Sequence, residues 1–258
     1  MSELSVVTRE QFQNKRWIPP QDYFFAAKDA LCPVVVYEIF KASMHLPLGF
    51  TRLDDKFHLV AVLGLEPGDN ALVDTAGNWT GGYMPAYYRA YPFSLNRSTD
   101  SEHVLCIDSS SGLLLDEPSK GEPFFDEQGE PVARMSQLME FLGNVHANQS
   151  ATDKLCALFK ELDLFEAWPI VIDRDDDTSQ VEGLFRISEE KLNTLSPEDL
   201  VQVRDAGGFP VIYSQLLSMQ NLASVAKYSP SASGADTIPE EIQFDFTEDS
   251  GNIRFDGL

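Results

Sequence analysis

The stretch VLGLEPGDNALVDTAGNWTGGYMPAYYRAYPF, from Val62 to Phe93, carries five glycines, three prolines and six aromatics. That density implies tight turns alternating with short buried segments, not a linker. Two readings of its aromatic part stay open. Trp79, Tyr83, Tyr87, Tyr88 and Tyr91, with Arg89, can line a binding face, because Tyr and Trp bring large area with a polar tip and Arg adds directional hydrogen bonds. Alternatively the segment is a folded corner with Trp79 and Phe93 in the core. Asp74 and Asp108, with Arg89, are the polar groups of a candidate site around Trp79–Tyr91.

Outward from this stretch, the first half reads as strands. His58–Leu65 (HLVAVLGL) is a strand closed by the turn residues Glu66-Pro67-Gly68-Asp69. Pro33–Tyr37 is a continuous β-branched run suited to a strand covered on both faces. Asn70–Asp74 and Val104–Asp108 (VLCID) are further strands, and Glu38–Met44 is a short helix. Residues 1–14 read as an N-terminal arm.

The pattern changes near Val132. Met135, Leu138, Met139, Leu142 and Val145 recur at helical spacing, as do Leu155, Leu158, Phe159 and Leu162. Asn148-Gln149-Ser150 separates two helices, or one long helix runs through it. Trp168–Ile172 and Val181–Ile187 form a hairpin around the acidic turn Asp173–Asp177. Ser196-Pro197-Glu198-Asp199 starts a helix, with Ser as N-cap, Pro at the first position and acids at the positive end of the dipole. Ala206-Gly207-Gly208 breaks it, and Phe209–Ala226 supplies a last helix whose lack of charge marks it as well buried.

The expected fold is therefore α+β. A strand-rich lobe over 15–130 packs with a helical lobe over 131–228 that carries a small β-hairpin. Residues 229–258 form an acidic, flexible tail able to make a marginal hairpin or add a strand to a partner's sheet edge.

With 258 residues and 43% hydrophobic content, the chain can bury a sizeable core. Its formal charge of −22 repels phosphate backbones and anionic lipid, which argues against nucleic acid and membrane surfaces as partners. The tail holds seven acids and one arginine, so −6 of that charge, and the body keeps −16. Cys32, Cys106 and Cys156 lack CxxC spacing and suggest reduced thiols in a cytoplasmic setting. The N-terminus has no apolar core of a secretory signal, and no run approaches about 18 apolar residues, so no leader and no membrane insertion are expected.

Chemistry-bearing motifs are scarce. His45, His58, His103 and His146 are scattered without HxH, HxD or HExxH spacing, so no metal site is expected. The acidic turn lacks the central glycine and final glutamate of a calcium loop. Cys106 lies beside Asp108, whose charge raises a thiol pKa and works against activation. Gly81-Gly82 and Gly207-Gly208 are isolated pairs without GxGxxG or a Walker lysine, and no GxSxG elbow occurs. No cofactor is expected.

The ordered run Leu63–Asn70, Trp79-Thr80-Gly81-Gly82-Tyr83-Met84-Pro85 and Tyr91-Pro92-Phe93 resembles the SapC family of bacterial proteins. Further matches are Cys106-Ile107-Asp108, Phe125–Pro131, Thr152–Cys156, Leu184–Ile187 and Leu216–Leu222, so the resemblance spans about 15–225. It implies a link to a surface layer and to loci of glycan or nutrient uptake. The partner it implies is another protein of the locus: halogenase-like, cupin-like or receptor-associated. It brings no catalytic residues. The leading expectation is a non-catalytic cytoplasmic accessory protein acting by protein–protein contact. An enzyme or enzyme subunit acting on a peptide or glycan around Trp79–Tyr91 is the alternative, and a small-ligand or glycan sensor the third. Oligomeric state is left open.

Overall fold

The structure, a computed structural model, describes residues 3–97, 103–116, 120–174 and 177–228. The described chain opens with β1 (Leu4–Val6), α1 (Arg9–Phe12), β2 (Arg16–Trp17) and β3 (Leu31–Pro33), and α2 (Ile39–Ser43) follows. Next come the hairpin strands β4 (Leu48–Leu53) and β5 (Lys56–Val62), the short helix α3 (Ala86–Ala90), and the paired β6 (Phe93–Arg97) and β7 (His103–Asp108). β8 (Leu114–Leu115) and β9 (Glu122–Pro123) flank β2. The long helix α4 (Ala133–Glu161) leads to β10 (Phe165–Ala167), β11 (Ile170–Arg174), β12 (Asp177–Val181) and β13 (Leu184–Ile187). Helices α5 (Glu189–Asn193), α6 (Pro197–Asp205), α7 (Gly208–Ser218) and α8 (Leu222–Tyr228) complete it. This is an α+β architecture, as the sequence pattern implies.

The centre is a five-stranded antiparallel sheet in the order β10-β13-β4-β5-β3. Both faces of β5 are covered, which its near-continuous apolar sequence requires. Leu59 and Ala61 join one core with Leu48 and Phe50, while Val60 and Val62 join another with Trp168 and Val225. The hairpin expected over 168–187 does form, but it is split at Gly183, whose φ is +82°. Ile170 opposes Val181 in one part and Phe165 opposes Ile187 in the other. Leu184 then pairs with Thr51, so the C-terminal half completes the sheet begun in the N-terminal half.

Other expectations are corrected by competing contacts. Residues 4–12, within the stretch read as an arm, are tied in: β1 pairs with β7, and Phe12 is buried edge-on against Phe124, ring centroids 5.1 Å apart. The Pro33–Tyr37 strand stops at Pro33; Val34 and Val35 stay buried, but the chain then turns through Val36–Glu38 and leaves Tyr37 exposed. Asn70–Asp74 contributes a single bridge, Val73 to Trp79, in place of a strand.

Of the two readings around Asn148, the single helix is the one present. Met135 and Leu142 near the start of α4 belong to the core with Trp17 and Phe93, whereas Leu155, Cys156 and Phe159 near its end belong to the core under β5. The expected helix start at Ser196 is present, with its Oγ accepting from the Asp199 N–H at 3.1 Å. The last helix is interrupted by a 3-10 turn at Met219–Asn221. The tail and the middle of the Asp173–Asp177 turn lie outside the described residues.

Candidate functional site

The Val62–Phe93 segment is built by close approach. A Cβ on Gly64 would lie 1.9 Å from the Asp69 carbonyl oxygen, so only glycine permits that turn. Asn70 is buried beside it, donating through Nδ2 to the Ala26 carbonyl (2.9 Å) and accepting from the Leu72 N–H (3.0 Å). A Cβ on Gly82 would lie 2.4 Å from His45 Nδ1. Gly64 and Gly82 are there because backbone and a ring occupy the space a side chain needs.

The expected site residues take different places. Asp74 holds a turn: its carboxylate accepts from the Ala76 N–H (2.9 Å), the Asn78 N–H (2.7 Å) and Asn78 Nδ2 (2.9 Å). The Asn78 bonds hold its carboxyl below the usual range. Trp79 packs against the main core and donates from Nε1 to the Tyr83 carbonyl at 3.2 Å. Tyr87 donates to Gln149 Oε1 on α4 at 3.0 Å. Tyr88, buried and edge-on to Trp79 at 5.8 Å, donates to Asp29 Oδ2 at 3.0 Å. Burial pushes its phenol up, and burial likewise raises the Asp29 carboxyl, against the opposing effect of the Tyr88 bond.

Tyr83 and Arg89 are brought together by a residue the site reading passed over, Glu38. It is 2% exposed. Its Oε1 accepts from the Val35 N–H (3.2 Å), and its Oε2 accepts from Tyr83 Oη (2.8 Å) and the Ala86 N–H (2.8 Å). Arg89 Nη2 stands 3.6 Å from the same oxygen and donates to Tyr83 Oη at 3.2 Å. Burial, then the bond to Glu38, drives the Tyr83 phenol upward. An acid inside the apolar run Val34–Phe40 is the signal that could have found it, since a carboxylate is kept in such surroundings only when it is fully bonded.

Tyr91 stacks on Phe25 with ring centroids 3.8 Å apart and shares a cleft of about 490 Å³ with Asp22, Asp108 and Ser110. Asp108 Oδ1 accepts from the Ser110 N–H (3.0 Å) and Ser110 Oγ (2.6 Å), which fixes the end of β7. Burial raises the Tyr91 phenol, and the charges of Asp108 and Asp22 add to it. On the other side of Tyr91 and Pro20 lies a second cleft of about 320 Å³, lined by Tyr88 and Arg89 and by Trp17, Tyr23 and Arg134 from outside the segment. Thus Tyr91 and Asp108 meet at one cleft, Tyr88, Arg89 and Tyr91 at the other, and Asp74, Trp79, Tyr83 and Tyr87 serve turns, core or bracing.

Cys32, Cys106 and Cys156 are all buried and unpaired. Burial pushes the Cys156 thiol up to about 12 and raises Cys32 as well. His103 and His146, far apart in sequence, meet with rings 4.0 Å apart. No group of three or more His, Cys, Asp or Glu is gathered among the described residues, and no helix there is long and apolar enough to cross a membrane.

An α+β protein braced at a glycine- and aromatic-rich corner is the class these features define. The model of the SapC family matches residues 7–225, and the chain belongs to that family. None of the curated proteins or solved structures compared with it matches significantly.

Proposed function

We propose that this protein is a non-catalytic accessory factor of the cytoplasm that works by binding another protein. The observation that carries this reading is an exposed apolar face on α2 and α7. The two helices pack together, Ile39, Ala42, Val211 and Ile212 all belong to the main core, and Asn221 Nδ2 donates to the Ser43 carbonyl at 2.8 Å. Outside that contact, Tyr37 is 82% exposed, Phe40 62% and Met44 66%, and on α7 Leu217 is 68% exposed and Tyr213 50%. Phe40 and Met44, like Tyr213 and Leu217, are four apart and so lie along one side of their helix.

In a chain of charge −22, residues 206–226 contain no charged side chain at all. Aromatic and methionine side chains with few charges are the composition of an interface centre. The three reduced thiols fit a cytoplasmic setting. Neighbours in a surface-layer or uptake locus, halogenase-like, cupin-like or receptor-associated, are the partners the family resemblance nominates. The bracing of Tyr83 and Arg89 by Glu38 supports a non-catalytic role for the Trp79–Tyr91 corner.

The test is photo-crosslinking in native cells, with benzoyl-phenylalanine placed at Phe40 or Leu217 in the full-length chain. Leu53, equally exposed on the β4–β5 hairpin, serves as control. A discrete adduct from positions 40 and 217 and none from 53 is expected. The same adducts from all three, or none from the face, overturns the reading.

A further inference from the structure

We infer that the cleft of about 320 Å³ between Trp17, Tyr23, Tyr91 and Arg134 is a binding site for a proline-rich, extended peptide segment. Its volume lies at the lower end of ligand-sized pockets, about 300–1,000 Å³.

Three features converge on that ligand. The walls are rings: Trp17, Tyr23, Tyr88, Tyr91 and Phe93, with Pro19 and Pro20 completing them. Aromatic grooves of this kind take polyproline-II segments, whose backbone is already extended and loses little entropy on docking. Second, Trp17 is 5% exposed and its Nε1–H has no acceptor among the described residues. A buried donor without a partner costs free energy, and buried indole N–H groups usually find one. Third, the two charged side chains at the cleft are donors only. Arg134 and Arg89 present guanidinium groups, while the Tyr88 hydroxyl already donates to Asp29.

The site therefore suits a ligand rich in acceptors and poor in donors. A proline segment has that chemistry, because each residue keeps its carbonyl and lacks the N–H. An anionic ligand fits less well. Arg134 is paired with Glu122 at 2.8 Å and Arg89 lies 3.6 Å from Glu38, so both guanidinium charges are already met, within a strongly acidic chain. The indole N–H is closed off from water, so a ligand carbonyl reaches it only when a neighbour turns aside. Arg134 is suited to that: its guanidinium lies over the Trp17 ring at 5.1 Å and its side chain is half exposed.

The experiment is a titration of the ¹⁵N-labelled full-length protein with blocked decaproline, followed at the Trp17 indole resonance, which Trp17→Phe identifies by its loss. Decaglutamate and a Gly-Ser decamer are the controls. A saturable downfield shift with decaproline alone is expected, as the N–H gains an acceptor. In Trp17→Phe, which keeps a ring in the wall, affinity measured by calorimetry falls about fivefold to tenfold, the worth of one hydrogen bond. A shift produced by decaglutamate and not by decaproline makes this an anion site and overturns the proposal. The absence of any shift up to 5 mM peptide overturns it too, as does unchanged affinity in the variant (concentration on the order of the weakest useful affinities). Because the crosslinking test reads α2 and α7, either proposal can fail while the other stands.

Discussion

The corner at Trp79–Tyr91 and the face of α2 and α7 are both rich in aromatic side chains, yet they are opposite in what they leave unmatched. At the corner, the Tyr83 hydroxyl, the Ala86 N–H and the Arg89 guanidinium all converge on one carboxylate, and the Tyr87, Tyr88 and Trp79 polar atoms each have a partner. On the face, the backbone is satisfied by helix geometry while Tyr37, Phe40, Met44 and Leu217 give most of their area to water. Aromatic density alone does not separate a brace from a docking surface. The separation comes from which groups, polar or apolar, the fold has left without their preferred surroundings.

The largest effect that would sharpen this contrast is at Glu38. Replacing it by Ala removes the acceptor of the Tyr83 hydroxyl, which keeps only its bond from Arg89, and leaves the Val35 and Ala86 N–H groups without theirs. Losing three hydrogen bonds to a buried carboxylate costs about 3–5 kcal/mol. For a domain of this size the melting temperature should fall by about 6–20 °C. A change under about 2 °C, read by calorimetry against the wild type, would break the idea that the corner is a brace.

A smaller, pH-dependent effect is expected at Asp29. Burial raises its carboxyl above the ordinary value of about 3.9. The folded state therefore holds the proton more tightly than the unfolded state. Its contribution is complete below the unfolded value and is lost as pH rises through the folded one. Asp29→Asn keeps an acceptor for Tyr88 and removes the titration. The melting temperature of the variant relative to wild type should thus climb from pH 3.5 toward neutrality and then level off (pH range spanning the ordinary carboxylate value). A difference that is constant with pH contradicts the assignment.

How much of this was legible in the sequence follows from range. Local devices were readable: the Ser196 cap, the Gly207 break with φ of +72°, and the apolar strand at β5 each depend on a few adjacent residues. Helix α4 shows the limit. Its two ends face different cores, so its apolar positions do not form one stripe, and the break in pattern at Asn148 looks like the end of a helix. Glu38 stood out only as an acid in an apolar run; its role was not legible because three of its partners, at positions 83, 86 and 89, lie more than forty residues away. The charge-free stretch of α7 was read as well buried. Half of that was right: Gln215 is fully buried, bonding to Leu48 and Ile187, while Leu217, two residues on, faces solvent. Absence of charge reports that water is excluded at some stage, in the fold or in a complex, and one sequence cannot say which.

That ambiguity is what the smallest expected effect resolves. If Phe40 and Leu217 belonged to the core, the double change Phe40→Ser with Leu217→Ser would cost several kcal/mol, as large-to-small changes in cores do (~2–5 kcal/mol each). Both side chains are mostly in water, so each substitution should shift stability by no more than about 0.5 kcal/mol. Urea unfolding should give a midpoint and slope close to those of the wild type. Solubility should rise, because an apolar patch has been removed from an acidic surface. A large stability loss would mean the face is structural, and the contrast with the corner would collapse. A silent change in stability, coupled to loss of the crosslinked adduct from a probe at Met44, would show that these side chains serve a partner and not the fold.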